Sequence, residues 1–169
     1  ENGANGSTAF VDQSTYARTI TAIGNAAWST AQYPTGMTSS LYCDGAGDSI
    51  SAADADEFTF AADFSIEAWA RVGTASGTYR GIVTRWGSGS EWAMGGPGSV
   101  TNKYGVMWAP TDVSNNILTD TGTIPATTWV PLMWTRSGNT HNLYVSGTRV
   151  ATGTFSTNLT NRAITVSIG

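Results

Sequence analysis

Cysteine is almost missing. Cys43 stands alone among 169 residues, so neither an internal disulfide nor a cysteine zinc site can form, and it reads as a small buried hydrophobe. Lysine is represented only by Lys103 and histidine only by His141. Charged residues make up 12% of the chain, about half the usual ~25%. Eight basic against twelve acidic side chains leave a net charge of −4. The lack of a basic stripe argues against nucleic acid as a partner. No apolar run reaches the ~18 residues that a membrane span requires, so no membrane insertion is expected. The chain opens at Glu1 with no charged-then-apolar leader, which suits a processed chain or an internal piece of a longer one. Sustained i, i+3, i+4 patterning is missing too, so helices are few.

Polarity comes instead from 26 Thr and 17 Ser, set among 20 Gly and 7 Trp. Aromatic content with low net charge excludes a disordered chain. A Thr/Ser-rich, Lys-poor surface points to an extracellular or particle setting. At this length a chain buries roughly 68–70% of its extended surface and carries a core without staples, as one domain over 1–169.

Short β-rich runs recur between Gly, Asn, Asp and Pro. They fall at 18–22, 39–43, 47–51, 64–72, 80–86, 91–94, 104–109, 116–119, 128–136, 140–146, 148–154 and 163–168. This spacing predicts an all-β antiparallel sandwich or barrel. The segment 95–103 reads as a loop, and 54–60 as a short helical turn with Asp54 as its cap. In 64–72 (FSIEAWARV), Phe64, Ile66, Ala68, Ala70 and Val72 share one face, and Ser65, Glu67, Trp69 and Arg71 the other. The first set is a core face; the second faces another layer, a groove or a loop. The expected core adds Ile82, Leu132, Leu143, Val145 and Val166. Ser137-Gly138-Asn139 and Ser146-Gly147 are hairpin connections, making 128–154 a three-strand meander.

The stretches SLYCDGAGDSIS, DADEFTF, DFSIEAWARV and GIVTRWGSGSEWAMG resemble the laminin-G-like jelly roll of the concanavalin A-like lectin/glucanase superfamily. So does TWVPLMWTRSGNTHNLYVSGTRVATGT, and more weakly the opening 3–25. Cys43 stands where the family prefers Phe, and Ser146 where it prefers Asp. The resemblance implies two antiparallel sheets in a jelly roll, often with calcium, and binding or structural roles. It also implies an opening and a closing strand that this chain lacks. The expectation is that the polypeptide continues past both ends, or that another protomer supplies a strand.

Glycoside hydrolysis needs two carboxylates at set separations. The four Glu (Glu1, Glu57, Glu67, Glu91) form no such pair, and Glu67 is expected to pair with Arg71. His141 has no nucleophile elbow to serve. No enzyme is therefore expected. The run 44–48 (DGAGD) places Asp44 and Asp48 four apart, as calcium ligands or as a plain turn. Trp28, Trp86, Trp92 and Trp108 lie near strand ends or loops, where aromatic rings can stack on sugars. Trp69, Trp129 and Trp134 lie mid-strand, as core or inter-layer residues. Asn5 and Asn158 fit the glycan acceptor sequon. The function expected is a non-catalytic structural or adhesive module of an extracellular assembly. A bacteriophage virion protein binding other particle proteins, with glycan binding, is the specific form. The alternative is a carbohydrate-binding module of a secreted polysaccharide-active enzyme.

Overall fold

The computed structural model describes residues 3–73, 80–87, 92–96, 102–111 and 114–169. Its order is β1 (Ile20–Ile23), β2 (Ala27–Ser29), β3 (Ser40–Tyr42), β4 (Ser49–Ala52), a 3-10 turn (Asp56–Thr59), β5 (Phe64–Arg71), β6 (Arg80–Arg85) and β7 (Trp92–Gly96). Then follow β8 (Gly105–Thr111), β9 (Ser114–Thr119), β10 (Trp129–Ser137), β11 (Thr140–Val145), β12 (Thr148–Thr154) and β13 (Val166–Ile168). All but β2 match a run expected from sequence. Three residues, Ala27–Ser29, carry no alternation to betray a strand. Most of the loop expected at 95–103 lies outside the described residues.

The larger sheet has seven strands in the order β1-β4-β13-β6-β7-β8-β9. The smaller has four, β12-β11-β10-β5, and β2-β3 form a separate ribbon. Every pairing is antiparallel. Two tight turns build the β10-β11-β12 meander. Gly138 takes φ +56 in a two-residue connection, one residue shorter than expected, because Ser137 pairs with Thr140. Ser146 and Gly147 both take positive φ (51 and 77), the geometry that matches strand twist in a two-residue hairpin.

Facing inner surfaces form the core. On the larger sheet Trp92 lies across from Trp108 and Met94 from Val106. Trp134 of the smaller sheet meets both tryptophans edge-on, at 6.5 Å and 6.0 Å between ring centres. Of the expected core, Ala70, Leu132, Leu143 and Val166 are buried. Phe64, Ile66, Ala68, Ile82 and Val145 point the expected way but are only partly buried against that core. For the β5 residues the cause is topological: β5 is the last strand of its sheet, so one flank has no neighbouring strand among the described residues.

Asp54 does not cap the helical turn. The turn starts after Ala55 with no side-chain cap bond, and Asp54 instead forms an ion pair with the buried Arg85, 2.6 Å away. The final segment does not stand at an open edge. β13 lies between β4 and β6 of its own chain, and 8–12 contributes one bridge, Val11 to Thr19. In the smaller sheet β5 and β12 are the two edge strands among the described residues.

Candidate functional site

The meander and β5 present their second face outward, and strand register sets what lies on it. Trp69 stands opposite Pro131, Glu67 opposite Met133, and Ser65 opposite Thr135. Met133 in turn stands opposite Tyr144, and Tyr144 opposite Arg149. Glu67, Trp69, Pro131, Met133 and Tyr144 line an open groove of about 660 Å³, with Gly147 at one side. Trp69 is 48% exposed. Trp69 on β5 and Tyr144 on β11 flank β10, so they stand two strand spacings, about 10 Å, apart across the sheet. The Pro131–Met133 strip forms an apolar floor between them. Glu67 is the carboxylate of this groove, and its Oε1 accepts a hydrogen bond from Ser65 Oγ at 3.2 Å. The arrangement offers ring faces to an apolar ligand surface and an acceptor to its hydroxyls.

Glu67 and Arg71 do not pair. Four residues along a strand span about 13 Å, too far for a direct contact, whereas the same offset on a helix brings side chains together. Arg71 Nε donates to the Thr127 carbonyl at 3.1 Å. Among the described residues no second carboxylate faces Glu67 across the register, so the pair that glycoside hydrolysis requires is not assembled here.

The four tryptophans expected to form a ligand site do not come together. Trp92 and Trp108 are 1% and 0% exposed, with Nε1 donating to the carbonyls of Phe58 and Thr157. As interior residues at the middle of the sandwich they offer no face to a ligand. Trp28 belongs to the β2-β3 ribbon, stacks on Phe10 and donates to the Ala9 carbonyl. Trp86 is exposed just beyond β6. Trp69, expected as core or inter-layer, is instead the ring of the groove. The period-2 reading of 64–72 already placed it beside Ser65, Glu67 and Arg71; only the assumption that mid-strand tryptophan is interior hid it.

Asp44 and Asp48 serve the backbone. Asp48 Oδ1 accepts from the Asn25 N–H at 2.6 Å and Oδ2 from the Asp44 N–H at 2.8 Å, while Asp44 Oδ1 accepts from the Ala46 N–H. These bonds hold the nearly buried Asp48 carboxyl below the usual carboxylate range. Gly24 makes the clip possible: its φ is +65, and a Cβ there would meet Asp48 Oδ1 at 2.3 Å. Calcium takes six to eight oxygen ligands. Here N–H dipoles already occupy Asp48, and no group of three His, Cys, Asp or Glu gathers among the described residues. The donor set does not fit the ion. Adding calcium or a chelator is expected to leave the melting temperature unchanged, since only a ligand of the folded state raises it; a rise on adding calcium would overturn this reading.

Both sequon asparagines have structural partners. Asn158 Oδ1 accepts from Arg136 Nη2, and Asn5 Oδ1 from the Thr30 N–H. Asp12 accepts from the N–H groups of Ser14 and Arg18, closing its turn. Cys43 is partly buried, and desolvation beside Asp48 and Asp44 pushes its thiol up to about 11, so it is protonated at neutral pH.

Two packed antiparallel sheets with an aromatic groove on the outer face of the smaller one define a lectin-like β-sandwich. The chain belongs to the concanavalin A-like lectin/glucanases superfamily, whose family model matches residues 44–169. No curated protein sequence matches it. Solved structures that share the fold include botulinum neurotoxin type C, whose cell entry depends on interaction with two ganglioside molecules (TM-score 0.69, 15% identity, 94% of this chain and 39% of that one). The botulinum neurotoxin DC binding domain is similar both in complex with SialylT (0.72, 15%, 94% and 40%) and with rat synaptotagmin II (0.71, 15%, 97% and 42%). The chain thus spans about two fifths of the length of these structures. At this identity the likeness establishes the fold alone. Among the described residues no helix is long and apolar enough to cross a membrane.

Proposed function

We propose that the chain is a non-catalytic, glycan-binding adhesive module of an extracellular assembly, and that the groove of Trp69, Met133 and Tyr144 is its binding surface. The observation that carries this is Trp69: a large ring left half exposed on a sheet face, next to a carboxylate and across from a proline-methionine strip. The C–H face of a pyranose complements the negative face of such a ring, and Glu67 accepts from its hydroxyls. A carboxylate in the groove and a net charge of −4 favour neutral sugars over sialylated ones. The glycan and ganglioside ligands of the similar toxin domains support the class of ligand without assigning it to this groove.

The test is an array of neutral and sialylated oligosaccharides, probed with the protein and its Trp69→Ala variant. Neutral glycans should be bound, and the variant should lose at least tenfold in affinity, about 1.4 kcal/mol, with its melting temperature kept. Equal binding by the variant, or no glycan bound at all, would remove the groove from consideration. A bacteriophage particle is the setting we favour for this module, on the Lys-poor, Thr/Ser-rich composition. Electron microscopy of the source particle decides it, and a chain found only as a free monomer sinks that placement. A binding module attached to a polysaccharide-active enzyme would use the same groove, with a catalytic domain in the same gene.

A further inference from the structure

We propose that the groove over β5, β10 and β11 takes three consecutive rings of a linear, neutral glycan whose pyranoses are joined through equatorial bonds. This rests on the reading of the groove as a glycan surface, and adds the shape and length of the chain it selects. Spacing leads there first. Trp69 stands opposite Pro131, and Tyr144 opposite Met133. The two rings are therefore two strand spacings apart across the sheet and two residues apart along it, roughly 12 Å between backbone positions. A single sugar cannot touch both. The strand spacing of about 4.8 Å is close to the length that one pyranose takes up in an extended chain. One ring per strand puts the first over Trp69 on β5, the second over β10 and the third over Tyr144 on β11. The chain then runs obliquely and crosses β10 between Pro131 and Met133.

The shape of the groove agrees. Its volume of about 660 Å³ is several times the ~150 Å³ of a cavity that encloses one benzene-sized ring. It has room for a short chain and does not close around one sugar. Its floor is a single run of sheet with an apolar strip along β10. Equatorial bonds at both ends of each pyranose keep a glycan straight, with a flat C–H face on every ring. Such a chain lays its first and third rings on one sheet face. Axial bonds make the chain curl, so that those two rings leave a common face.

The polar groups point the same way. Glu67 lies on β5 at one end of the row Glu67-Met133-Tyr144, and Arg149 is exposed opposite Tyr144 at the other. The carboxylate accepts from sugar hydroxyls, and the guanidinium donates to hydroxyl and ring oxygens. One charge of each sign at opposite ends balances for a neutral ligand, whereas an acidic sugar over β5 meets Glu67. An acceptor at one end and a donor at the other also distinguish the two directions of the chain.

The experiment is calorimetric titration of the 169-residue chain with β-1,4-linked oligomers of glucose, mannose and N-acetylglucosamine, from the monosaccharide to the hexasaccharide. Glucose oligomers with α-1,4 linkage are the control, because one of their two bonds is axial. In one β-linked series or more, affinity should rise about fivefold or more from two units to three, the worth of one further ring contact. A fourth unit should add no more than about twofold, the gain of a second register. The α-linked trisaccharide should bind about fivefold or more weakly than the β-linked one. Tyr144→Ala should bring the trisaccharide down to the affinity of the disaccharide and leave the disaccharide unchanged, whereas Tyr144→Phe should keep the step. Glycans bound through Trp69 with no step at three units, with both linkages bound alike, or with the step kept in Tyr144→Ala would overturn this proposal and leave the glycan surface standing. The same holds if the array binds other neutral glycans and no β-linked series binds. No glycan bound by the parent protein removes the glycan surface and this proposal with it. Should Tyr144→Ala fail to fold, the length series of the parent protein decides.

Discussion

Replacing Arg85 with methionine is expected to destabilise the fold by about 2–3 kcal/mol, because a buried guanidinium and the hydrogen bonds it donates are lost together. Arg85 is fully buried at the end of β6. Its Nε donates to the Ile164 carbonyl at 3.3 Å, and Nη1 to Thr59 Oγ1 at 2.8 Å. Nη2 reaches Asp54, Asn161 and the Arg162 carbonyl. One guanidinium therefore ties the 3-10 turn and the irregular stretch before β13 to the larger sheet. Thr59 and Asn161 are bonded to each other, and Asn161 donates onward to Asp56, so the loss spreads through a connected network. Methionine fills a similar volume but takes the donor away from the buried Thr59 and from the Ile164 and Arg162 carbonyls. Lysine should not rescue the fold, because a point charge with three donors cannot span a planar fork. Urea unfolding measures both variants through their midpoints at constant m. A loss under about 1 kcal/mol, or a lysine variant as stable as the parent, would show that the network is dispensable.

Most strands were legible because period-2 alternation is a local property. Phe64, Ile66, Ala68 and Ala70 face inward as expected, and Ser65, Glu67 and Trp69 face outward. What stayed hidden depends on strand order. Nothing in FSIEAWARV says that β5 ends its sheet, and that position is why Ile66 is only partly buried and why Trp69 overlooks a groove. Trp92 and Trp108 sit near loops in sequence, yet β7 and β8 pair in the middle of the larger sheet under Trp134. Arg85 and Arg136 are both buried. Arg136 spends its guanidinium on the carbonyls of Gly138 and Phe60 and on Asn158, over the Trp108 ring. The partners of both arginines lie far away in the chain, or are carbonyls that any residue carries, so no motif announces them. The family resemblance, by contrast, rests on turn and strand residues that are contiguous, and the family model matches it over residues 44–169.

Acid is expected to loosen this protein through His141, beginning as the pH falls below about 6.5. His141 is fully buried among Trp108, Trp134, Phe64 and Phe155, with ring centres between 4.7 and 6.0 Å away. Its Nδ1 accepts a hydrogen bond from Trp134 Nε1 at 3.2 Å, so the neutral ring carries its hydrogen on Nε2. A second proton must go to Nδ1, where it would confront the indole N–H and break that bond. Burial, and then the nearby charge of Arg136, push the imidazole down from 6.5 to about 4. In the unfolded chain it titrates near ~6.5. Between these values the unfolded state binds more protons, so stability rises with pH across the window. The contribution is complete above the unfolded value and fades as pH falls toward 4, a loss of roughly 3 kcal/mol at about 1.4 kcal/mol per unit. Asp12 and Asp48 also have lowered values, so their contributions disappear only in stronger acid. The comparison is urea unfolding at pH 7 and pH 4.5, for the protein and for His141→Gln, whose side-chain carbonyl can still accept from Trp134. The parent should lose about 2–3 kcal/mol over that range. The variant starts lower but should stay nearly flat, and an equal loss in both would mean that the acid sensitivity lies elsewhere.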